Sequence, residues 1–198
     1  KNGVATTLAN GSCNAYAWKV FVSGTDVYVV GNGGTCTPNA KATLWKNNVA
    51  TDLTNGVFKS DARSVFVSGT DVYVVGFEER TPGINTAVLW KNGVPTDLTN
   101  GMMDASAYSV YVSGTDVYVA GQEATATGYV AKIWKNGVPT SLPNGSLALS
   151  VFVSGTDVYI AGYEENAGGK GVAKLWKNGT ATAITDGARH AEGYSVYV

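Results

Sequence analysis

The sequence predicts an all-β propeller of four-stranded antiparallel blades, and three observations predict it. One phrase recurs along the chain, each copy carries two tight hairpin signals, and the apolar residues run consecutively with no helical period. Val-Ser-Gly-Thr-Asp-Val-Tyr begins at Val22, Val67, Val112 and Val153, at spacings of 45, 45 and 41 residues. Trp-Lys-Asn follows in every copy, from Trp45, Trp90, Trp134 and Trp176.

The second full copy shows the elements in order. Ser64-Val65-Phe66-Val67 reads as strand A, and Ser68-Gly69-Thr70-Asp71 as the A–B turn. Val72-Tyr73-Val74-Val75 reads as strand B, followed by a variable loop from Phe77 to Asn85. Thr86 to Trp90 reads as strand C, and Lys91-Asn92-Gly93 turns the chain into strand D, Val94 to Leu98. Asn-Gly supplies the positive φ pair that a two-residue hairpin requires. Strands A and B are apolar on consecutive residues, so both faces of their sheet are buried, as in a blade packed between two neighbours. A solenoid is the competing repeat fold, but its coils are about 20–30 residues long and lack a four-strand unit with two hairpins.

With those phrases in hand, the chain resembles the highly repetitive β-propeller arrays of bacterial proteins. The repeat length is similar to that of WD40 and kelch blades, but Lys-Leu-Trp-Lys-Asn-Gly, Lys174 to Gly179, lacks the Trp-Asp pair of the first. Gly33-Gly34 is the one doublet near a kelch-like position. The resemblance covers the whole chain and implies architecture, while propellers host both enzymes and binding platforms.

One domain is expected over 1–198, with full blades at 17–54, 62–98, 107–142 and 148–184. The termini supply a split partial blade: an outer strand, Val4 to Leu8, with its loop in 1–16, and an inner strand in 194–198. Strands B and C of that blade are missing, so completion by further repeats or by another chain is expected over imperfect closure, since open edges invite association. Lys1-Asn2-Gly3 repeats a mid-unit phrase, and the N-terminus is read as processed or cut.

The composition excludes several partners. Net charge is -1, the pI is about 5.8, and no Lys/Arg run occurs. Nucleic acid and anionic membrane surfaces both need clustered positive charge, so neither is expected as a partner. No apolar stretch approaches the roughly 20 residues of a membrane helix, so no membrane insertion is expected. The 25 glycines and 11 tyrosines suit a turn-rich β protein rather than a disordered chain.

Comparing the copies separates two ends of each blade. The A–B and C–D turns share one end and are nearly constant, with Asn48 the one departure from Lys-Asn-Gly. The B–C and D–A loops share the other end and differ in every copy. At the mouth of strand A stand Trp18, Arg63, Tyr108, Leu149 and Tyr194, and after the glycine that ends strand B stand Asn32, Phe77, Gln122 and Tyr163. Aromatic, Arg and Asn residues at rigidly held positions suit recognition, against drift as the competing source of loop variation. These nine residues are the expected ligand-binding set.

Other candidates carry less chemistry. Cys13 and Cys36 lie in neighbouring loops of the variable end and are expected to form a disulfide, stabilising by about 3 kcal/mol for a loop of roughly 20 residues and implying an oxidising compartment. His190 is a lone loop histidine. Asp26, Asp71, Asp116 and Asp157 are read as turn residues bonding nearby backbone, not calcium ligands. The strand C tryptophans are read as blade-to-blade packing. No cofactor and no metal site are expected.

The leading expectation is a non-enzymatic extracellular, cell-surface or periplasmic module that binds a glycan or protein through the variable end. The alternative is a structural repeat that self-associates through its incomplete blade. A third reading is a hydrolase using the acidic loop residues Glu78, Glu79, Glu123, Glu164 and Glu165.

Overall fold

A computed structural model describes residues 3, 5–9, 14–33 and 39–198. Four meandering sheets follow the repeats. Blade 1 holds β1 (Tyr16–Ser23), β2 (Asp26–Gly33), β3 (Lys41–Lys46) and β4 (Val49–Asp52). Blade 2 holds β5 (Ser60–Ser68), β6 (Asp71–Thr81), β7 (Ile84–Lys91) and β8 (Val94–Asp97). Blade 3 holds β9 (Ala105–Ser113), β10 (Asp116–Thr125), β11 (Gly128–Lys135) and β12 (Val138–Ser141). Blade 4 holds β13 (Leu147–Ser154), β14 (Asp157–Glu165), β15 (Gly171–Lys177) and β16 (Thr180–Ala183). Each sheet is antiparallel in sequence order, which is the propeller of four-stranded blades that the repeats predict.

The turn end is built by side chains as well as backbone. Asp71 accepts from Lys91 Nζ at 2.7 Å and from Asn92 Nδ2 at 2.8 Å. Asn92 Oδ1 in turn accepts from Val72 N, and Lys91 lies over the Tyr73 ring. Asp26, Asp116 and Asp157 repeat the arrangement with Lys46, Lys135 and Lys177. The aspartates therefore tie the A–B turn to the C–D turn of their own blade. Their partners are Lys and Asn side chains, where the sequence reading expected nearby backbone. In the C–D turn Asn92 and Gly93 have φ of 52° and 80°, and Asn48 accepts 69° where the other copies use glycine.

Packing between blades forms the core. Val65, Val67 and Trp90 of blade 2 meet Tyr28, Val30 and Ala42 of blade 1. Trp134 fills the same place against blade 2, and Trp176 against blade 3. All four strand C tryptophans are buried. Burying a large aromatic at each junction removes apolar area from water at about 25 cal/mol per Å². Along the centre, Phe21, Phe66, Tyr111, Phe152 and Tyr197 pack successively with centroids 4.8–5.0 Å apart and ring planes tilted by 48–60°. They line a central cavity of about 230 Å³.

The termini depart from regular strands. Residues 195–198 follow β13 in the position of a fifth inner strand: Val196 N donates to Ser150 Oγ, and Tyr197 packs on Phe152. Among the described residues they join no ladder. Residues 5–9 also carry no strand, although the Leu8 carbonyl accepts from Trp45 Nε1 at 2.9 Å. Along β1 the leading face of blade 1 is open, while Trp45 farther out on that face is buried. Val20 and Val22 are 57% and 60% exposed, while their counterparts Val65 and Val67 are 1% and 8% exposed. Ile184, on the trailing side of blade 4, is 61% exposed. Among the described residues no helix is long and apolar enough to cross a membrane.

Strands A and B are longer than the sequence indicates. Residues expected in the D–A and B–C loops pair with each other, Ser60 with Glu78 and Asp61 with Phe77. Backbone pairing extends both strands outward irrespective of their polar side chains. Cys13 and Cys36 lie outside the described residues.

Candidate functional site

Where β5 meets β6, the register slips between Ala62 and Ser64, leaving Arg63 without a partner. The same slip falls between Ala17 and Lys19 in β1 and between Ala148 and Ser150 in β13, and in β9 Tyr108 is skipped between Ala107 and Ser109. Each mouth position in blades 1 to 4 is thus the extra residue of a β-bulge, a device that bends the strand and re-aims one side chain. The glycine that ends strand B makes the bulge possible. A Cβ on Gly76 would collide with the Asp61 carbonyl oxygen, and Gly31, Gly121 and Gly162 face the matching carbonyls of Tyr16, Ser106 and Leu147.

The bulges aim their residues at one place. Trp18, Arg63, Tyr108, Leu149 and Tyr194 line a single cavity of about 410 Å³, with Lys19, Ser64, Ser109, Ser150 and Ser195 beneath them. It opens above the aromatic channel, since Lys19 and the same serines line both. The second predicted set does not join it. Asn32 accepts from Tyr16 N at 3.2 Å, and Phe77 is buried under Arg63 and Lys59. Gln122 and Tyr163 line a separate cavity of about 420 Å³ between the outer hairpins of blades 3 and 4, with Tyr129 and Glu165.

One residue absent from the sequence prediction organises the mouth. Asp61 is buried, and Trp18 Nε1 donates to both its carboxylate oxygens, at 2.8 and 2.9 Å. Arg63 Nε lies 2.9 Å from Asp61 Oδ2, off the line of a hydrogen bond. The guanidinium sits 4.5 Å from the Trp18 ring and 5.8 Å from that of Tyr108. Burial pushes the Asp61 carboxyl above its ordinary range, against the opposing charge of Arg63 and the hydrogen bond from Trp18. Burial likewise raises the Tyr108 phenol, with the Arg63 charge opposing. The signal for Asp61 was its offset: it stands two residues before Arg63, aligned with Tyr16, Ser106, Leu147 and Glu192.

Chemically, the mouth offers flat apolar surfaces beside fixed polar groups. Tyr16 stacks on Trp18 at 5.7 Å and an interplanar angle of 9°, and both rings are exposed, as is Tyr194. Paired aromatic faces next to a charged group hold amphipathic ligands, apolar on one side and hydroxylated on the other. Three of the five acidic loop residues are held in ion pairs, Glu78 with Arg80, Glu123 with Lys132 and Glu164 with Lys174, while Glu79 accepts from Gly83 N and Glu165 lines the outer cavity. His190 accepts from Gly171 N on Nδ1 and meets Glu192 through Nε2, both at 2.9 Å, away from the mouth cavity.

No family model matches the chain, and no curated protein matches it. Among solved structures, it is similar to an α-L-arabinofuranosidase from Clostridium thermocellum ATCC 27405, at 13% identity and a TM-score of 0.46, over 93% of this chain and 74% of that one. The expectation of a non-enzymatic protein is corrected by this match, because the protein matched is itself an enzyme. At that identity the likeness is one of fold and transfers no residue role.

Proposed function

We propose that the protein binds a carbohydrate at the mouth of its central channel. One observation carries the reading: four bulges and the C-terminal segment aim five side chains, three of them aromatic, into one cavity of about 410 Å³. A sugar ring presents C–H groups on its faces and hydroxyls around its rim, and this site supplies aromatic surfaces with an Arg and four serines around them. A glycan array followed by calorimetry tests it, with a reducing-end assay reading any cleavage. Replacing Trp18→Ala and Tyr194→Ala together is expected to weaken the selected saccharide at least tenfold without lowering secondary structure by circular dichroism. Equal affinity in wild type and variant would overturn the reading.

A separate observation favours a second reading, assembly. Val20 and Val22 expose the strip that blades 2 to 4 bury against the preceding blade. The chemistry that fits it is the trailing face of another blade of this repeat, with Tyr, Val and Ala at the places of Tyr28, Val30 and Ala42. Sedimentation across a concentration series checks this: Val20→Asp with Val22→Asp is expected to abolish association, and a wild type that stays monomeric throughout sinks it.

A further inference from the structure

The residue after the mouth position is serine in four of the five copies and lysine in one. Ser64, Ser109, Ser150 and Ser195 align with Lys19. The serines have a structural task. Ser64 Oγ accepts from Val110 N, Ser109 Oγ from Val151 N and Ser150 Oγ from Val196 N, at 3.4, 3.1 and 3.3 Å, so each links its inner strand to the next. An ammonium group has no lone pair to accept such a bond. In blade 1 the strand-to-strand link toward Val65 is therefore forfeited.

Among the described residues the lysine gains no ion pair in exchange. On the described strands, Lys41, Lys46, Lys91, Lys132, Lys135, Lys174 and Lys177 all pair with a carboxylate. Lys19 makes no ion pair among the described residues. It lines both the mouth cavity and the channel beneath it. The mouth lining holds a second cation, Arg63, and no carboxylate; Asp61 is buried outside the lining, engaged by Trp18 and Arg63. With Asp61 set against Arg63, the charge of Lys19 is left without a carboxylate among the described residues, at a cavity that Trp18, Tyr108 and Tyr194 also line.

We infer that the mouth is specific for an anionic saccharide, whose carboxylate or sulfate group is held by Lys19 while its ring lies against Trp18 and Tyr194. The inference rests on the carbohydrate reading above and narrows it to a charge class. A hydrogen bond between an ammonium group and a carboxylate or sulfate is stronger than one between neutral groups.

The test compares wild type with Lys19→Ser, which installs the residue the other blades use, and with Lys19→Arg, which keeps the charge. Probes are an oligogalacturonide, a sulfated galactan oligosaccharide and a neutral galactan oligosaccharide, titrated by calorimetry at two salt concentrations. The expected result is tighter binding of one acidic probe than of the neutral one, weakened by salt. Lys19→Ser should reduce that affinity at least tenfold, leave the neutral probe unchanged and melt no lower than wild type, while Lys19→Arg retains most of the binding. Which acidic probe responds distinguishes a carboxylate from a sulfate. Acidic binding unchanged in Lys19→Ser, or preference for the neutral probe, overturns the charge assignment and leaves the carbohydrate reading standing if Trp18→Ala still abolishes binding. No binding of any saccharide overturns both.

Discussion

At the turn end of the blades, four aspartates each hold a lysine and an asparagine at 2.7–2.8 Å, and the arrangement repeats with little change. At the bulged end, the aligned side chains are Trp18, Arg63, Tyr108 and Leu149, which share neither size nor charge. The difference lies in what each residue must fit. A turn aspartate has to meet two partner side chains and a tyrosine hydroxyl, so only one residue type serves. A bulge residue sits outside the ladder, and no opposing residue dictates it. The backbone beneath it, by contrast, is tightly determined by the glycine across the strand.

The largest expected effect tests that last point. Gly76→Ala puts a Cβ into the Asp61 carbonyl and forces the bulge apart, with an expected loss of about 3 kcal/mol in denaturant unfolding. Gly69→Ala at the turn end meets open space and suffers only from its φ of +59°, for about 1 kcal/mol. Equal losses at the two glycines would erase the contrast.

A smaller effect separates the two ends by sign of pH dependence. Hydrogen bonds from Lys91 and then Asn92 hold Asp71 below the ordinary value of 3.8, and the other three turn aspartates share this. A lowered carboxyl contributes stability above its unfolded value, and that contribution is lost as pH falls through the folded value. The stability wild type loses on acidification below 3.8 should therefore shrink in Asp71→Asn. Asp61 is raised, so it behaves oppositely: stability is highest while it is protonated and declines as pH climbs from 3.8 through the folded value. The stability of Asp61→Asn relative to wild type should accordingly rise with pH above 3.8. Chemical denaturation at a series of pH values reads both, and a flat difference for Asp61→Asn would break the comparison.

Much of this was readable in the residues. Seven-residue phrases and Asn-Gly turns located every blade, and the alignment of copies picked out five side chains that do line one cavity. Asn32, Phe77, Gln122 and Tyr163 did not follow, because alternation along one strand cannot report which face a residue takes once the partner strand slips by one. Phe77 pairs across from Asp61 and turns inward, a fact held by the ladder rather than by its neighbours in sequence. Asp61 was hidden for a related reason: Lys-Ser-Asp-Ala reads as loop, while the structure places Ser60 and Asp61 inside a strand. The open face of blade 1 was implied by the count of strands, but its extent appeared only when Val20 and Val22 were compared with their buried counterparts.

Because each bulge residue is decoupled from the register of its own sheet, a blade behaves as an interchangeable cassette carrying one letter of a word spelled around the channel. Recombination between near-identical repeats would move whole cassettes, and each exchange rewrites one letter while leaving the turn network and the tryptophan junctions intact. A new set of mouth side chains is then reached by shuffling existing parts, with the backbone beneath them unchanged.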